Sequence, residues 1–354
     1  DALPPLLAPV PLSAPRGSRT VINAQVARVA IVVLNWNGST DTLRCLDAVA
    51  RQIDVNPVII VVDNNSEDES LHRLRPLAAS GRIVLLENDS NDGFAGGVNV
   101  GITYALEGGF DAVALLNNDA VPQPRWLVEL VTAMNESKAA IVTGLLLDEA
   151  GSKVDSAGDF YSWWGMPFPR ARGEDADQAP ASGFVASASG GATLYRSDVF
   201  REIGLFDENF FAYFEDVDLS LRAQSALLRV YYTRDAVAFH ARGSSSSQVS
   251  GLTTYQSFKN LPLLAIKNVP GRYLPLLWAR FSLLYGALLV NAIRTGRGKP
   301  ALRGMRSAIT LTFTYALTER RRIQRLRQLS AQGFTRLMSP HDPWQRQPPS
   351  SRRP

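Results

Sequence analysis

Residues 112–120 read AVALLNNDA, an apolar run that ends abruptly in two amides and a carboxylate. A continuous apolar run of this length suits a strand covered on both faces of a parallel sheet. Because ligands of open α/β sheets bind beyond the carboxyl ends of such strands, we expect Asp119 where a metal-bound ligand would lie. Asn117 and Asn118 add neutral oxygen donors for a hard cation. Asn-Asn-Asp is also ordinary turn chemistry, so this stretch alone leaves both interpretations open.

Three further strands are predicted before this one, and each is followed by a polar cluster rich in Asn and Asp. The strands are expected at residues 28–34, 58–62 and 83–86, with helices at 39–52, from about 66, and at 94–106. Strands that alternate with helices at this spacing indicate right-handed βαβ units and a parallel sheet. Since the carboxyl ends of parallel strands share one edge, the polar clusters are expected to form one site.

The second half of the chain continues the alternation less regularly. One helix is predicted at 126–135, and a second one ends at about residue 226. Strands are predicted near 140–146, at 228–233 and at 237–240. Residues 185–194 are rich in Gly, Ala and Ser, which is typical of a place where something approaches the backbone closely. Residues 155–180 hold two tryptophans among Gly, Pro and acidic residues. We expect them to form a mobile loop near the substrate rather than core.

Six motifs occur in a characteristic order, and together they identify a family. They are VLNWN (33–37), VVDNNS (61–66), NDGFAGGVNVG (91–101), LLNNDA (115–120), GGATLYR (190–196) and FFAYFEDVDLSLR (210–222), followed by His240. Each motif alone is weak, but the set resembles family 2 glycosyltransferases, most of all their rhamnosyltransferase-like branch. The resemblance covers about residues 28–247. It implies the GT-A fold, a Rossmann-like α/β fold with a mostly parallel central sheet flanked by helices.

The resemblance also implies where a nucleotide-sugar donor binds. Asp63 would contact the base or ribose, Asp92-Gly93-Phe94 would lie along the donor, and the full set of expected donor-binding residues is Asn35, Asn37, Asp63, Asn65, Asp92, Gly93, Phe94, Asn99, Asn117 and Asn118. A carboxylate that accepts from ribose hydroxyls is used in the same way by dinucleotide-binding folds. Two structural alternatives stay open, since Asp63 could cap a helix and the glycines at 97 and 101 could serve tight helix-on-strand packing.

Asp119 matches the final aspartate of the family's metal-binding Asp-X-Asp motif, whose first aspartate is replaced here by Asn117. The replacement removes one negative charge, so metal affinity could be modest or depend on the donor diphosphate. The resemblance implies Mg²⁺ or Mn²⁺, which would neutralise the leaving nucleoside diphosphate. His240 matches a histidine that completes the metal site in related enzymes, and imidazole tolerates Mn²⁺ better than Mg²⁺. A lone histidine is, however, more often structural.

The motif FFAYFEDVD carries the expected catalytic base, Asp216. An inverting transferase needs a carboxylate that takes the proton of the acceptor hydroxyl during attack. The negative charges of Glu215 and Asp218 are expected to raise its pKa, and helical spacing places these two on one face and Asp216 elsewhere. The acceptor side is assigned to Trp163, Trp164, Gly191, Phe214 and Glu215. The alternative for the acidic cluster is a helix N-terminus that satisfies the dipole.

Composition divides the chain into a mildly acidic body and a basic end. It has 354 residues, a net charge of +4 and one cysteine, which rules out an internal disulfide framework. From Arg294 onward about 14 basic residues stand against two acidic ones, which argues against general nucleic-acid binding and for an anionic surface meeting one end. Residues 273–293 approach the length of a spanning helix but are interrupted by Pro275, Arg280 and Asn291. An interfacial helix is expected there, with a helical subdomain or an oligomer interface as the alternative.

These observations predict four segments and one activity. The segments are a flexible extension (1–27), a GT-A domain (28–250), a helical membrane-associated region (251–338) and a disordered tail (339–354). The expected activity is inverting, metal-dependent transfer of a sugar, rhamnose from dTDP-rhamnose, to a glycan or polyprenyl-linked acceptor in bacterial cell-envelope polysaccharide synthesis, at the cytoplasmic face of the membrane. Alternatives are a UDP-sugar donor such as UDP-galactofuranose or a UDP-hexose, a nucleotidyltransferase, and a non-catalytic membrane scaffold. The chain could also form a homo-oligomer.

Overall fold

The computed structural model describes residues 28–241 and 249–339. The predicted extension at 1–27 and nearly all of the predicted tail at 339–354 lie outside the described residues. The strands are β1 Val29–Asn35, β2 Val58–Asp63, β3 Val84–Glu87, β4 Ala112–Asn117, β5 Ala120–Pro122, β6 Ile141–Asp148, β7 Val154–Ser156, β8 Asp159–Ser162, β9 Pro167–Pro169, β10 Gly183–Phe184, β11 Ala192–Arg196, β12 Val230–His240 and β13 Met338–Ser339. The helices are α1 Ser39–Val49, α2 Ser70–Ala79, α3 Gly93–Glu107, α4 Trp126–Ser137, α5 Ser197–Ile203, α6 Glu215–Ser225, α7 Leu252–Asn268, α8 Leu274–Arg294, α9 Gly298–Leu311, α10 Leu317–Leu326 and α11 Ala331–Thr335.

Ten strands form one mixed sheet in which β3, β2, β1 and β4 are neighbours in that order and run parallel. The prediction of a mostly parallel sheet therefore holds for this half only. In the other half β11 pairs antiparallel with both β4 and β6, and β12 is parallel to β6. The chain turns from β3 back to β4 on the far side of β1, and such a reversal of strand order opens a crevice at the carboxyl ends of the strands.

The sheet is buried on both faces, as the continuous apolar runs predict. Alternate residues of β1 point in opposite directions, so Val32 packs in the cluster that contains α3 while Val33 packs with α1 and α4. Helix α3 lies unusually close to β1, because a Cβ built at Gly97 would be 2.4 Å from the Leu34 side chain and one at Gly101 would be 2.6 Å from Val32. The structural alternative for these two glycines is confirmed, since they allow helix-on-strand packing.

The prediction that residues 155–180 form a mobile loop outside the core is wrong. Strand β8 pairs with β9 on one side and, on the other, with β13 near the C-terminal end of the described chain. Tyr161 is fully buried in a cluster with residues of α6, α7 and α8. The small and polar composition concealed three short strands whose apolar partners come from distant parts of the sequence.

Helix α7 joins the C-terminal region to the sheet domain. Its side chains from residue 258 to 268 are almost all buried, and they share one cluster with Val217 and Leu221 of α6. Arg320 donates to the carbonyl oxygens of Ile266 and Val269. Cations at the C-terminal end of a helix interact favourably with its exposed carbonyls. Arg320, one of the basic residues of the C-terminal end, is thus used inside the protein to cap α7.

Candidate active site

The polar ends of β1, β2 and β4 meet at one edge, as predicted. Asn35 pairs in register with Asp63, and Leu34 with Asn117. Asn35 is fully buried, its Nδ2 donates to Asp63 Oδ1 at 2.7 Å, and its Oδ1 accepts from Thr42 at 2.6 Å. The prediction that Asn35 contacts the donor is corrected, because both ends of its amide are already bound within the protein. Asn35 instead holds Asp63 in place.

Asp63 is only 1% exposed, and its carboxylate also accepts from the hydroxyl and main-chain N–H of Ser66, at 2.7 and 2.9 Å. These bonds close a turn before α2, whose N-cap is Glu69, so the helix-capping alternative for Asp63 is wrong. A contact of Asp63 to the donor stays a prediction. Asn37 acts locally as well, since its Oδ1 accepts from the main-chain N–H of Glu67. Asn65 is exposed with a left-handed backbone, φ 61°. Together these residues shape the rim beyond β2.

The segment that leads into α3 is shaped by a residue that no motif reading singled out, the buried Asn64. Its Oδ1 accepts from the N–H of Asp92, and its Nδ2 donates to the carbonyl of Gly93 at 3.0 Å. Gly93 has φ 70°, and a Cβ there would be 2.4 Å from the carbonyl oxygen of Phe211. The same oxygen accepts from Ala95 N–H, so the loop before α6 caps α3. Gly93 is required where these two segments meet.

Two more predicted donor residues lie along α3. Phe94 is half-buried and packs edge-on against Phe206, with ring centroids 6.4 Å apart. Asn99 is 4% exposed, its Oδ1 accepts from Phe206 N–H, and its Nδ2 donates to Phe206 C=O. The expectation that Asn99 contacts the donor is therefore corrected, because its amide is committed to the main chain of the segment that follows α5.

Beyond β4 the chain turns so that Asn117, Asn118 and Asp119 take different directions. Asn118 is buried, and its Nδ2 donates to the Thr42 hydroxyl at 3.1 Å. A Cβ at Gly38 would be 2.8 Å from the same Nδ2, which explains the glycine after β1. Asn118 thus ties the β4 turn to α1. Asn117 and Asp119 instead approach His240.

His240 lies beside Asp119 because β12 pairs antiparallel with β5, which sets His240 opposite Ala120. Its Nε2 is 3.1 Å from Asp119 Oδ1, and its Nδ1 is 2.7 Å from Asp155 Oδ2. Asp155 is 2% exposed and also forms an ion pair with Arg172, at 3.1 Å. A carboxylate on one ring nitrogen orients the imidazole and directs the other nitrogen outward. Asp155 therefore aims Nε2 at Asp119.

Asp216 lies at the start of α6, partly exposed. Its Oδ2 accepts from the main-chain N–H of Gly190 at 2.8 Å, and its Oδ1 accepts from Val217 N–H. Burial raises the pKa of Asp216 and these main-chain donors lower it. The next residue, Gly191, accepts from the N–H of Asn117 through its carbonyl, at 2.9 Å. The Gly190–Gly191 pair therefore links the base position to the end of β4.

The expected influence of Asp218 on Asp216 is wrong, because Asp218 is neutralised elsewhere. It is fully buried, and its carboxylate binds Lys267 at 2.9 Å, Arg222 at 2.8 Å and Asn268 at 2.8 Å. Burial opposes ionisation, but Lys267 and Arg222 lower the pKa of Asp218 to about 2. The predicted helical spacing is confirmed, since Asp218 points to α7 whereas Asp216 points to Gly190.

Glu215 is buried beside Asp216, and burial followed by the charge of Asp216 raises its pKa to about 8. A second carboxylate, Asp159 of β8, has its pKa raised to about 8 by the same two causes. No sequence motif points to Asp159, because β8 belongs to the segment expected to be a loop. Asp216 therefore has two neighbouring carboxyl groups, Glu215 and Asp159, whose pKa values are both raised.

The loop before α6 has an unusual backbone that α7 stabilises. Phe211, Tyr213 and Phe214 all have positive φ, at 63°, 70° and 71°, a conformation that costs about 1 kcal/mol or more for residues other than glycine. Asn260 of α7 compensates. Its Nδ2 donates to the carbonyls of Phe210, Ala212 and Tyr213, each at 2.9 Å. We refer to residues 210–214 as the clamped loop.

The tryptophans assigned to the acceptor side lie between β8 and β9, and both are half-buried. Trp163 packs edge-on against Tyr273, with ring centroids 5.6 Å apart, so it anchors this turn to the start of α8. A Cβ at Gly165 would be 2.9 Å from Phe281. The structural alternative for Trp163 thus has direct support, and stacking of either tryptophan on a sugar stays a prediction.

The strand order and the position of Asp119 at its crevice are those of a GT-A glycosyltransferase. Among solved structures, a mannosyltransferase from Pyrobaculum calidifontis in complex with GDP-Man and Mn²⁺ has a similar fold, with a TM-score of 0.51 and 15% identity over 86% of this chain and 87% of that one. The chain belongs to the glycosyltransferase-like family 2, whose family model matches residues 27–256.

Characterised relatives agree with the rhamnosyltransferase-like branch. A dTDP-rhamnosyl transferase, RfbF of Shigella flexneri, is 23% identical over 275 residues, which cover 75% of this chain and 88% of the relative. An N-acetylglucosaminyl-diphospho-decaprenol L-rhamnosyltransferase of Mycobacterium tuberculosis is 28% identical over 242 residues, or 62% of this chain and 77% of the relative. The chain is thus a glycosyltransferase, and the nucleotidyltransferase and scaffold alternatives are set aside.

Proposed function

We propose that this glycosyltransferase moves a sugar with inversion from a nucleoside-diphosphate donor to a hydroxyl of a glycan or polyprenyl-linked acceptor. The observation that carries the proposal is the Gly190–Gly191 pair, which binds Asp216 on one side and Asn117 on the other. A base and a diphosphate site held by one dipeptide suit a single displacement, in which both ends of the reacting centre must be fixed together.

Asp216 acts as the general base in this proposal. As the acceptor oxygen forms its bond to the anomeric carbon, its proton passes to a carboxylate oxygen of Asp216, and the bond from the anomeric carbon to the diphosphate oxygen breaks. Burial raises the pKa of Asp216, while the hydrogen bonds from the N–H groups of Gly190 and Val217 lower it and orient the carboxylate. The raised pKa values of Glu215 and Asp159 reduce the competing negative charge beside Asp216.

Asp119 and His240 would hold a divalent cation, Mg²⁺ or Mn²⁺. Their facing atoms lie 3.1 Å apart, close enough for one ion to bind both, and Asp155 orients the ring. Among the residues that the structure describes, no three His, Cys, Asp or Glu side chains group as a complete site. Oxygens of the donor diphosphate would therefore complete the ligation. When bound, the cation neutralises charge on the leaving diphosphate.

The donor is proposed to be dTDP-rhamnose, because relatives from two organisms are named as rhamnosyl transferases. A UDP-linked sugar such as UDP-galactofuranose or a UDP-hexose is the second candidate. The mycobacterial relative is named for a decaprenol-linked acceptor, which supports a polyprenyl-linked acceptor for this chain as well. Synthesis of a bacterial cell-envelope polysaccharide at the cytoplasmic membrane face is the setting that this acceptor chemistry favours.

The test is a donor screen by thermal shift, with and without Mn²⁺, on the parent, on Asp119→Ala and on the control Asp198→Ala. Asp198 forms an exposed ion pair with Arg196, outside the site. A donor at 100 times its Kd should stabilise the fold by about 2.7 kcal/mol. We expect Mn²⁺-dependent stabilisation by dTDP-rhamnose that Asp119→Ala loses and Asp198→Ala keeps. No shift with any nucleotide sugar would overturn the proposal.

A further inference from the structure

One side of α8 is apolar and exposed, although the helix packs on the protein with its other side. Leu276, Leu283 and Val290 recur at intervals of seven residues and are 49%, 71% and 48% exposed. The opposite side buries Leu277, Phe281 and Leu284, and the first two belong to the cluster shared with α7. By length and composition residues Gly271–Arg294 could cross a membrane, but their buried side ties them to the fold. An amphipathic helix of this kind lies in an interface rather than across it.

Helix α9 and the turn after it repeat the arrangement. Leu302, Ile309 and Phe313 are exposed, Phe313 by 75%. The inner side of α9 touches α7 so closely that a Cβ at Gly304 would be 2.4 Å from the Tyr255 carbonyl oxygen. Helices α8 and α9 also share a small apolar cluster, which includes Ala292 of α8 and Ala301 of α9. We call the six exposed residues Leu276, Leu283, Val290, Leu302, Ile309 and Phe313 the outer apolar face.

Charge around the outer apolar face has one sign. The sequence has no Asp or Glu between Asp235 and Glu319, a stretch that includes all of α7, α8 and α9. Five cations are exposed at the end of α8 and along α9, namely Arg294, Arg297, Lys299, Arg303 and Arg306. None of these five takes part in an ion pair described for residues 28–241 and 249–339. A partner that is both apolar and anionic would complement this surface.

We propose that the outer apolar face docks on an anionic lipid bilayer, with α8 and α9 lying in the headgroup region. Apolar side chains would enter the acyl boundary while the surrounding arginines contact lipid phosphates. A second copy of the chain fits less well. A two-fold interface sets a patch against itself, which would bring these cations together with no carboxylate between them. A single charged surface of opposite sign satisfies all of them.

Docking in this way would bring the acceptor side of the site to the membrane. The turn that holds Trp163 packs on Tyr273 immediately before α8, and a Cβ at Gly165 would lie 2.9 Å from Phe281 and 3.2 Å from Leu277 of that helix. A polyprenyl-linked acceptor embedded in the same bilayer would reach the site along this turn. The inference deepens the proposed function and rests on it for the acceptor, but vesicle binding itself requires neither donor nor acceptor.

The experiment measures binding of the full chain to vesicles of phosphatidylglycerol and phosphatidylcholine, and to phosphatidylcholine alone, by co-sedimentation. We expect binding to the anionic vesicles only, and a decline at high salt. The double variant Leu283→Glu/Phe313→Glu should need at least about tenfold more lipid for half-binding. Arg303→Gln/Arg306→Gln should need about 25-fold more, roughly fivefold for each charge. Ile53→Glu, an exposed apolar residue on the loop before β2, is the matched control and should bind like the parent.

Several outcomes would overturn the inference. They are no binding of the parent to anionic vesicles, unchanged binding by both double variants, or a parent dimer that Leu283→Glu/Phe313→Glu separates. Circular dichroism melting of every variant separates loss of binding from loss of fold. The donor-induced thermal shift, measured in parallel, reports on the proposed function. Vesicle binding without a donor shift would remove the proposed function and leave the docking surface intact.

Discussion

The main-chain N–H of Gly190 donates to Oδ2 of Asp216 at 2.8 Å, and a Cβ at Gly190 would lie 3.3 Å from the same oxygen. The absence of a side chain therefore lets the backbone approach the carboxylate and hold it in one orientation. Because the other carboxylate oxygen binds Val217 N–H, the rotation of Asp216 is fixed from both sides. The carboxylate is held in place before any acceptor arrives.

The first prediction concerns Asp216→Asn, which preserves shape and removes the base. We expect the transfer rate to fall by about 10²–10⁴-fold, the usual contribution of a positioned base. Donor binding should remain, because Asp216 is proposed to face the acceptor. Initial rates measured together with donor-induced thermal shifts check this. A variant that loses donor binding as well would show that Asp216 serves the donor side.

The second prediction concerns Asp155→Asn, which alters the partner of His240 without touching Asp119. Loss of an orienting carboxylate behind a ligating histidine commonly weakens metal affinity by about 10–100-fold. Mn²⁺ titration followed by electron paramagnetic resonance, in the presence of nucleotide, measures the change directly. Asp175→Asn, which alters an exposed ion pair with Lys153, is the control. Equal Mn²⁺ affinity in the parent and Asp155→Asn would leave His240 a structural residue.

The third prediction separates backbone conformation from crowding at Gly93. Gly81→Ala has nearly the same φ, 73° against 70°, but no atom lies within 4 Å of its added Cβ. It should lower the free energy of unfolding by about 1 kcal/mol. Gly93→Ala adds the clash with Phe211 and should lose about 1–3 kcal/mol more. Denaturant unfolding of the pair measures the difference, and equal losses would mean that the clamped loop yields without cost.

The fourth prediction concerns pH and Glu215. Burial raises the pKa of this carboxyl from 4.5 to about 8, so between these values the unfolded chain releases a proton that the folded chain keeps. The contribution of Glu215 to the free energy of unfolding is fully present below about pH 4.5 and is lost as the pH rises through about 8. Glu215→Gln should make this decline smaller, and the part that remains belongs to Asp159, whose pKa is also raised to about 8. Unfolding free energies measured from pH 4 to 9 test it, with the exposed Glu107→Gln as the control. A decline of the same size in the parent and in Glu215→Gln would show that Glu215 does not contribute to it.

The fifth prediction concerns Asn260→Leu, which keeps the size of the side chain and removes the donor. Three carbonyls of the clamped loop lose a bond, although that of Phe210 still accepts from Lys259 and from the N–H of Ala212. A buried acceptor left without a partner costs about 1–3 kcal/mol unless the loop moves. We expect kcat to fall while KM for the donor changes little, because the loop is next to Asp216. Steady-state kinetics checks this split. A change in donor KM alone would contradict a positioning role.

The strands that carry the donor side were predictable from sequence, because each is a buried apolar run followed by its own polar cluster. Asp119 and Asp216 were predictable too, because each belongs to a short motif of the family. Asp155 and Asp159 were not, because short strands carry little periodicity and their partners lie far along the chain. Asn260 was equally hidden, since an amide inside an amphipathic helix looks like an ordinary polar position until the carbonyls it binds are known.

Helix α7 is attached to the sheet domain at two places, which has a practical consequence for preparing the enzyme without detergent. Lys267 binds Asp207 and Asp218 inside the protein, and Asn260 donates to the clamped loop. A chain that ends after the sheet domain would therefore lose the contacts that position the loop and α6, together with the outer apolar face. Solubility should instead be engineered by substituting polar residues for those of the outer apolar face on α8 and α9. The sheet domain and the C-terminal helices that pack on it should therefore be kept together in any shortened form of this enzyme.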